Sequence, residues 1–185
     1  MDDSQIVALY LERNERAIKE TSVKYGRYCY AIAYNILSNK EDADESVNDT
    51  YMKTWECIPP HRPIILSTFV GKITRRISLN RWRDKNRMKR GGGQVSRALD
   101  ELEECIPTEN DVESDMERKQ LSQAINAFLG TLPEKEREVF VCRYWFLASV
   151  QEISKRFEFS EGKTKTMLFR TRQKLKEYLI EEGFI

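Results

Sequence analysis

Apolar residues recur along this chain at steps of three and four, the spacing that lines one face of an α-helix. Ile6, Leu9, Tyr10 and Ala17 fit one helix, and Tyr28, Ala31, Ile32, Ile36 and Leu37 fit a second, interrupted at Ser38-Asn39. A third stripe, Ala43, Val47, Thr50, Tyr51, Thr54, Trp55 and Ile58, runs into Pro59-Pro60. Proline lacks the backbone donor and clashes with the preceding turn, so the helix must stop there. Beyond the loop, Leu66, Val70, Ile73 and Ile77 repeat the helical step and lead into RRISLNRWRDKNRMKR, so one face packs while another is cationic.

Gly91-Gly92-Gly93 breaks this pattern, because three glycines resist any helix. Leu99, Leu102 and Ile106 fit a short amphipathic turn, but the density of acids and Pro107 predict a mostly irregular segment over 91–115. Periodicity resumes with Leu121, Ile125, Phe128 and Leu129. Thr131-Leu132-Pro133-Glu134 then reads as a helix start, with a threonine three residues before a glutamate and proline in the first turn. That helix carries Val139, Phe140, Cys142 and Arg143. Ser149-Val150-Gln151-Glu152 is a second capping box, opening a short helix with Ile153 and Phe157 inward, and Ser160 caps a last helix with Thr164, Leu168, Thr171, Leu175 and Leu179 inward. Two helices so closely joined are a helix-turn-helix candidate. The expected fold is all-α: two small helical domains, 1–90 and 116–185, joined by an acidic flexible linker, with the helix-turn-helix in the second.

Composition supports a helical protein: of 185 residues, 33% are charged and 40% hydrophobic, with 8 Gly and 5 Pro. No stretch approaches the roughly 18 consecutive apolar residues of a membrane span, and Met1-Asp2-Asp3-Ser4-Gln5 lacks a basic, apolar leader. A cytoplasmic protein without membrane insertion is expected. Cys29, Cys57, Cys105 and Cys142 are scattered without metal or redox spacing, and His61, the single histidine, has no nearby Cys or His. These features predict buried thiols and no metal site. The net charge of +1 hides a partition, since residues 1–90 carry 17 Lys/Arg against 12 Asp/Glu, residues 91–115 carry 1 against 8, and residues 116–185 carry 13 against 10. Two polyanion-binding blocks joined by a tether that avoids the polyanion would show this partition, as would an ordinary solvated acidic linker.

Three constellations carry chemistry. On the last helix the face opposite the apolar line presents Thr166, Phe169, Arg170 and Gln173, flanked by Lys163 and Lys165. Arginine can grip a guanine edge with two hydrogen bonds, threonine and phenylalanine can touch a thymine methyl, and lysines hold phosphates. The plain alternative is a solvated basic face. Lys72 to Arg90 holds nine basic residues against Asp84 alone. Arg76, Asn80, Arg83 and Arg87 fall within about one-sixth of a turn of one another, a stripe that can follow a phosphate backbone. Phe69 and Trp82 lie nearby, placed either for the core or for stacking on unpaired bases. The helix EDADESVNDTYMKTWECI exposes Asp44, Glu45, Asn48, Asp49 and Lys53, an acidic patch suited to a basic protein partner or to solvent.

At this point the residues resemble a family. Asp42 to Trp55, DADESVNDTYMKTW, resembles the DAEDLVQETFLRAW pattern of extracytoplasmic-function (ECF) sigma factors of the sigma-70 family, and Leu66 to Arg83 is similar to their FRAWLYRIARNLALDRLR helix. Leu132 through Leu175 is similar to their carboxy-terminal helix-turn-helix pattern. The resemblance implies a non-enzymatic RNA polymerase subunit, with no cofactor and no catalytic residue, that directs promoter-specific initiation. Asp44, Glu45, Asn48, Asp49 and Lys53 would bind the β′ clamp coiled coil of core RNA polymerase, with the β flap as a further contact. His61, Arg76, Asn80, Arg83 and Arg87 would hold the opened minus-ten element, and Lys163, Lys165, Thr166, Phe169 and Arg170 would read the minus-thirty-five element. The family commonly has an anti-sigma protein as a further partner. Ser46 departs from the usual Leu, Gly71 from an aromatic, Arg76 and Asn80 from Asn and Asp, Glu158 from the turn glycine and Met167 from an arginine. Two rivals remain at this stage: a helix-turn-helix regulator, which leaves the acidic helix and the arginine stripe without purpose, and a nucleic-acid enzyme, which lacks clustered metal-binding or general-base residues.

Overall fold

The computed structural model describes residues 1–86, 94–107 and 115–185, and among these every regular element is an α-helix. The chain divides into two compact units, Met1–Gly91 and Gly92–Ile185.

In the first unit, α1 (Asp3–Leu11) starts at a capping box in which Asp2 and Gln5 satisfy each other's backbone. The pattern from Ile6 to Ala17 predicts one helix, but the chain breaks inside it. Arg13 takes a left-handed conformation, and the Asn14 side chain accepts from the Arg16 amide, so Ala17 belongs to α2 (Arg16–Leu37). Asparagine offers the backbone a local partner that competes with the helix, and the apolar phase happens to survive the break. Asn39 caps α3 (Lys40–Cys57), which ends at Ile58 before the prolines. α4 (Leu66–Asn86) has its first amide capped by Asp3 from α1. Ile6, Tyr10, Cys29, Ala33, Ala43, Val47, Ile58, Leu66 and Val70 form the core of this unit.

The seam between α3 and α4 consists of small hydroxyl residues. Ser46, Thr50 and Thr54 on α3 and Thr74 and Ser78 on α4 are all fully buried. The Thr50 hydroxyl lies 2.7 Å from the Ser46 carbonyl and 3.2 Å from the Thr74 hydroxyl. Ser46 and Ser78 each lie one turn beyond the Thr50–Thr74 contact on their own helix, and neither hydroxyl finds a partner among the described residues. The departure at Ser46 thus accompanies a second small residue across the seam. Gly71 has a comparable account, since a Cβ there would lie 2.5 Å from the Tyr28 hydroxyl, which fills the space from α2.

The second unit begins earlier than its composition implies. The irregular segment expected over 91–115 is corrected for residues 94–107: α5 (Gln94–Glu103) buries Val95 and Ala98, and Leu102, Cys105 and Ile106 join the core of the second unit. The acids that argued for a solvated tether mostly face outward, with Asp100, Glu103 and Glu104 exposed. α6 (Asp115–Thr131), α7 (Glu134–Tyr144), α8 (Val150–Phe157) and α9 (Glu161–Glu181) complete the unit around Phe128, Leu132, Val139, Phe140, Ile153, Leu168, Leu175 and Leu179. The expected Thr131 cap is also corrected. Its hydroxyl donates to the Phe128 carbonyl at the end of α6, and α7 starts after Pro133 without a side-chain cap.

Candidate functional site

α3 presents its outer face as the stripe predicts. Asp44, Glu45, Asn48 and Asp49 are exposed, while half-buried Lys53 pairs with Glu56 at 2.8 Å. Beside this face lies a groove between α2 and α3, lined by Ile18, Val23, Tyr51, Met52 and Trp55 with Asn48 at its edge. Val23 is 78% and Met52 56% exposed. Arg13 stacks over the Trp55 ring at 5.3 Å and donates to its carbonyl at 2.7 Å, fixing one wall. Periodicity missed this groove, and the available signal was Val23, an apolar residue off the inward line of α2.

On α4, Arg76, Asn80 and Arg83 are exposed on one face, as expected, whereas Arg87 lies outside the described residues. The sequence reading passed over two other cations that prove specifically placed. Arg81 forks between Glu45 and Asp49, at 2.8 Å from Asp49, and Lys85 pairs with Asp42. Two members of the acidic patch therefore already hold a cation of the basic helix. The hydrogen bond that Arg81 donates to Glu45, with the charges of Glu45, Asp49 and Asp42, raises the pKa of Arg81 against its partial burial.

The loop before α4 displays His61, whose ring sits 6.1 Å from Phe69 and whose Nδ1 lies 3.0 Å from the Cys57 carbonyl. Next to it Ile64 is 95% exposed. An apolar side chain left in water on the same loop suits contact with an unstacked base. Trp82 is half-buried.

The helix-turn-helix assembles as its caps predict. Ser149 and Glu152 form the box that opens α8, and Ser160 caps α9. Between them Glu158 adopts φ 55° and ψ 38°, so the corner keeps the left-handed geometry of a glycine although the residue is not one. A buried 2.8 Å hydrogen bond between the Ser154 and Thr164 hydroxyls joins the two helices. Thr164, Leu168, Thr171, Leu175 and Leu179 all point inward, which leaves Thr166, Phe169 and Arg170 exposed in the middle of the outer face. The flanking lysines have local partners, Lys163 over the Phe159 ring at 3.7 Å and Lys165 at 3.6 Å from Glu161.

A second charge network, unforeseen from the sequence, sits inside the second unit. Glu101 on α5 accepts from Arg143 at 3.1 and 3.3 Å and from the Tyr144 hydroxyl at 3.0 Å. Arg172 on α9 closes the ring, 2.7 Å from the Tyr144 hydroxyl and 3.4 Å from Glu101. Burial opposes ionisation of Glu101, but Arg143, the Tyr144 hydroxyl and Arg172 outweigh it and lower its pKa. Burial likewise pushes the Cys105 thiol up to about 11. Among the described residues no group of His, Cys, Asp and Glu is arranged to hold a metal ion, the four cysteines are free, and no helix is long and apolar enough to cross a membrane.

Comparison with known proteins matches residues 23–88 to sigma-70 region 2 and residues 122–175 to sigma-70, region 4. The chain is similar to the ECF RNA polymerase sigma factor SigE of Mycolicibacterium smegmatis, with 24% identity over 155 residues, 83% of this chain and 58% of that protein. The match thus spans little more than half the length of that relative. Among solved structures, CnrH in complex with the cytosolic domain of CnrY is 22% identical, with 98% of this chain and 99% of that chain covered and a TM-score of 0.40.

Proposed function

We propose that this chain, which belongs to the sigma-70 family, is a sigma factor of the extracytoplasmic-function type that binds core RNA polymerase and directs it to promoters, recognising and melting them. The observation that carries the proposal is the pairing, in one chain, of a matched region 2 whose acidic and cationic helices lie side by side with a matched region 4 whose helix-turn-helix presents Thr166, Phe169 and Arg170 outward. Asp44, Glu45, Asn48, Asp49 and Lys53, with the neighbouring apolar groove, dock on the basic β′ clamp coiled coil. The family reading adds an anti-sigma protein as a further partner. Arg76, Asn80 and Arg83, continued by Arg87, hold the separated non-template strand, and His61 with Phe69 receives an unpaired base. Lys163 and Lys165 position the upstream duplex while Thr166, Phe169 and Arg170 read its base edges, and the β flap steadies the second unit on the polymerase. The chain adds no chemistry of its own to the reaction and works in the cytoplasm, where polymerase and DNA are found.

The test is reconstitution of the purified chain with core RNA polymerase and a promoter library. Initiation from a defined subset of promoters is expected, and Asp49→Arg is expected to abolish co-elution with core polymerase while the thermal melt of the chain stays within a few degrees. Initiation without promoter selection overturns the function. Unchanged co-elution removes α3 from the interface.

A further inference from the structure

Glycine weakens a helix, because it gives up the most backbone freedom on folding and packs no side chain. A helical glycine therefore needs a reason. Among the described residues, Gly26 and Gly71 have one in a tyrosine hydroxyl, 3.2 Å and 2.5 Å from where a Cβ would stand. Gly183 takes a left-handed φ of 77° behind α9, and Gly130 lies in the last turn of α6, where that helix is ending. Gly162 has none of these. It sits in the first turn of α9, it is exposed, and a Cβ built on it would meet nothing within 4 Å.

Its place on the helix supplies the reason. At about 100° per residue Gly162 shares a line with the exposed Thr166, Phe169 and Gln173, so it holds the centre of the outer face at the leading end of α9. The long side chains on either side are drawn away from it. Glu161 and Lys165 pair at 3.6 Å along one flank, and on the other Lys163 lies over the Phe159 ring at 3.7 Å. Bare main chain is left at the centre. When a helix-turn-helix binds DNA, the second helix enters the major groove with its first residues at the base edges. A local cost with no compensation inside the chain belongs where a ligand comes close.

We propose that Gly162 is a specificity-determining DNA contact: its missing side chain lets the main chain of the first turn of α9 close onto the base edges of the upstream duplex. The depth of that approach sets how far Thr166 and Phe169 reach into the groove. This assignment rests on the DNA-reading role given to α9 above. A side chain added at Gly162 then acts on stability and on binding with opposite signs, whereas a residue with a purely structural role moves the two together.

The experiment uses the full chain assembled with core RNA polymerase and a fluorescein-labelled duplex carrying the upstream element of a promoter that the wild-type chain selects from the library. Affinity for that duplex and for a random-sequence duplex of equal length is read by anisotropy, beside the thermal melt of the chain alone. Gly162→Ala is expected to raise the melting temperature by about 2–4 °C, since alanine is the better helix former. It should weaken the selected duplex about tenfold and leave the random duplex within about twofold. Gly162→Leu, with a similar helix preference and more bulk, should weaken the selected duplex further. Gly130→Ala is the control, an equally open glycine on another helix, and should leave both affinities unchanged. Unchanged or tighter binding by Gly162→Ala overturns the proposal. A lowered melting temperature beside weaker binding overturns it as well, by making the loss structural, and so does an equal loss on both duplexes, which puts the close approach at the phosphates. Selection of promoters by the wild-type chain is scored first. Its failure removes the DNA-reading role, whereas intact selection with an unaffected Gly162→Ala removes only the close approach.

Discussion

In the first unit Arg81 joins α4 to α3 through the exposed carboxylates of Glu45 and Asp49, whereas in the second Glu101 joins α5 to α7 and α9 through the largely covered guanidiniums of Arg143 and Arg172. The chemistry is the same, one ion bridging two opposite charges across helices. The surroundings differ: Glu45 is 64% exposed and Arg143 only 4%. Water screens the first set, so its members can be exchanged at small cost. In the second set the two guanidiniums, 4% and 13% exposed, have little solvent to fall back on, so removing the acid strands them. A charged network therefore serves as a removable contact in one unit and as a structural joint in the other, and burial decides which.

The largest expected effect comes from breaking the joint. Glu101→Ala leaves the Arg143 and Arg172 guanidiniums facing each other without their acid, and should cost the second unit about 2–3 kcal/mol, below the usual figure for fully buried pairs because Glu101 keeps contact with solvent. Urea unfolding with hydrogen exchange on α5 measures it, and a loss under about 0.5 kcal/mol would mean that α5 is held by Val95, Ala98 and Cys105 alone.

The same network predicts a pH dependence. Because the folded state lowers the pKa of Glu101, its contribution is complete above the unfolded value of roughly 4.3 and is lost as pH falls through the lower folded value. Acid titration of wild type and Glu101→Gln should converge in stability at low pH, and parallel curves would rule Glu101 out as the sensitive group.

A gain placed elsewhere in the second unit sharpens the contrast. Glu158 holds a left-handed backbone at φ 55°, so Glu158→Gly should stabilise by about 1 kcal/mol and add to the Glu101→Ala loss, since the two sites share no partner. A destabilising result would show that the glutamate side chain offsets its backbone strain.

The smallest stability effect is expected at the removable contact. Arg81→Ala should lower the stability of the first unit by less than about 1 kcal/mol even though it deletes two ion pairs. A loss near that of Glu101→Ala would erase the distinction between the two networks.

Helix phases were legible where caps and apolar steps agreed. The Ser149 box, the Ser160 cap and the inward line from Thr164 to Leu179 all stand as read. Where two signals conflicted, the reading went astray. Over 94–107 the charge count outweighed the helical step through Leu99, Leu102 and Ile106 and hid the buried Val95 and Ala98, and between Tyr10 and Ala17 an apolar phase ran across an unseen turn at Arg13 and Asn14. Thr131 matched a cap motif but closes the helix before it. Motifs record which local bonds are available, and neighbouring helices select among them. Most residues read as exposed on α3, α4 and α9 are exposed, but Lys53 is half-buried, Arg87 lies outside the described residues, and the groove at Val23 and Met52 was missed because it belongs to two helices at once.

Local pattern and charge spacing were enough to establish an all-helical chain, its capped helix-turn-helix, the acidic face of α3 and the cationic face of α4, because these depend on residues three or four apart on one helix. Which charges are spent on each other required the folded chain. Arg81 lies 32 positions from Asp49 and Glu101 lies 71 from Arg172, and no periodicity relates residues so far apart. Packing alone brings them within bonding distance, and the water left around them after packing sets whether the bond is a joint or a contact that a partner can take.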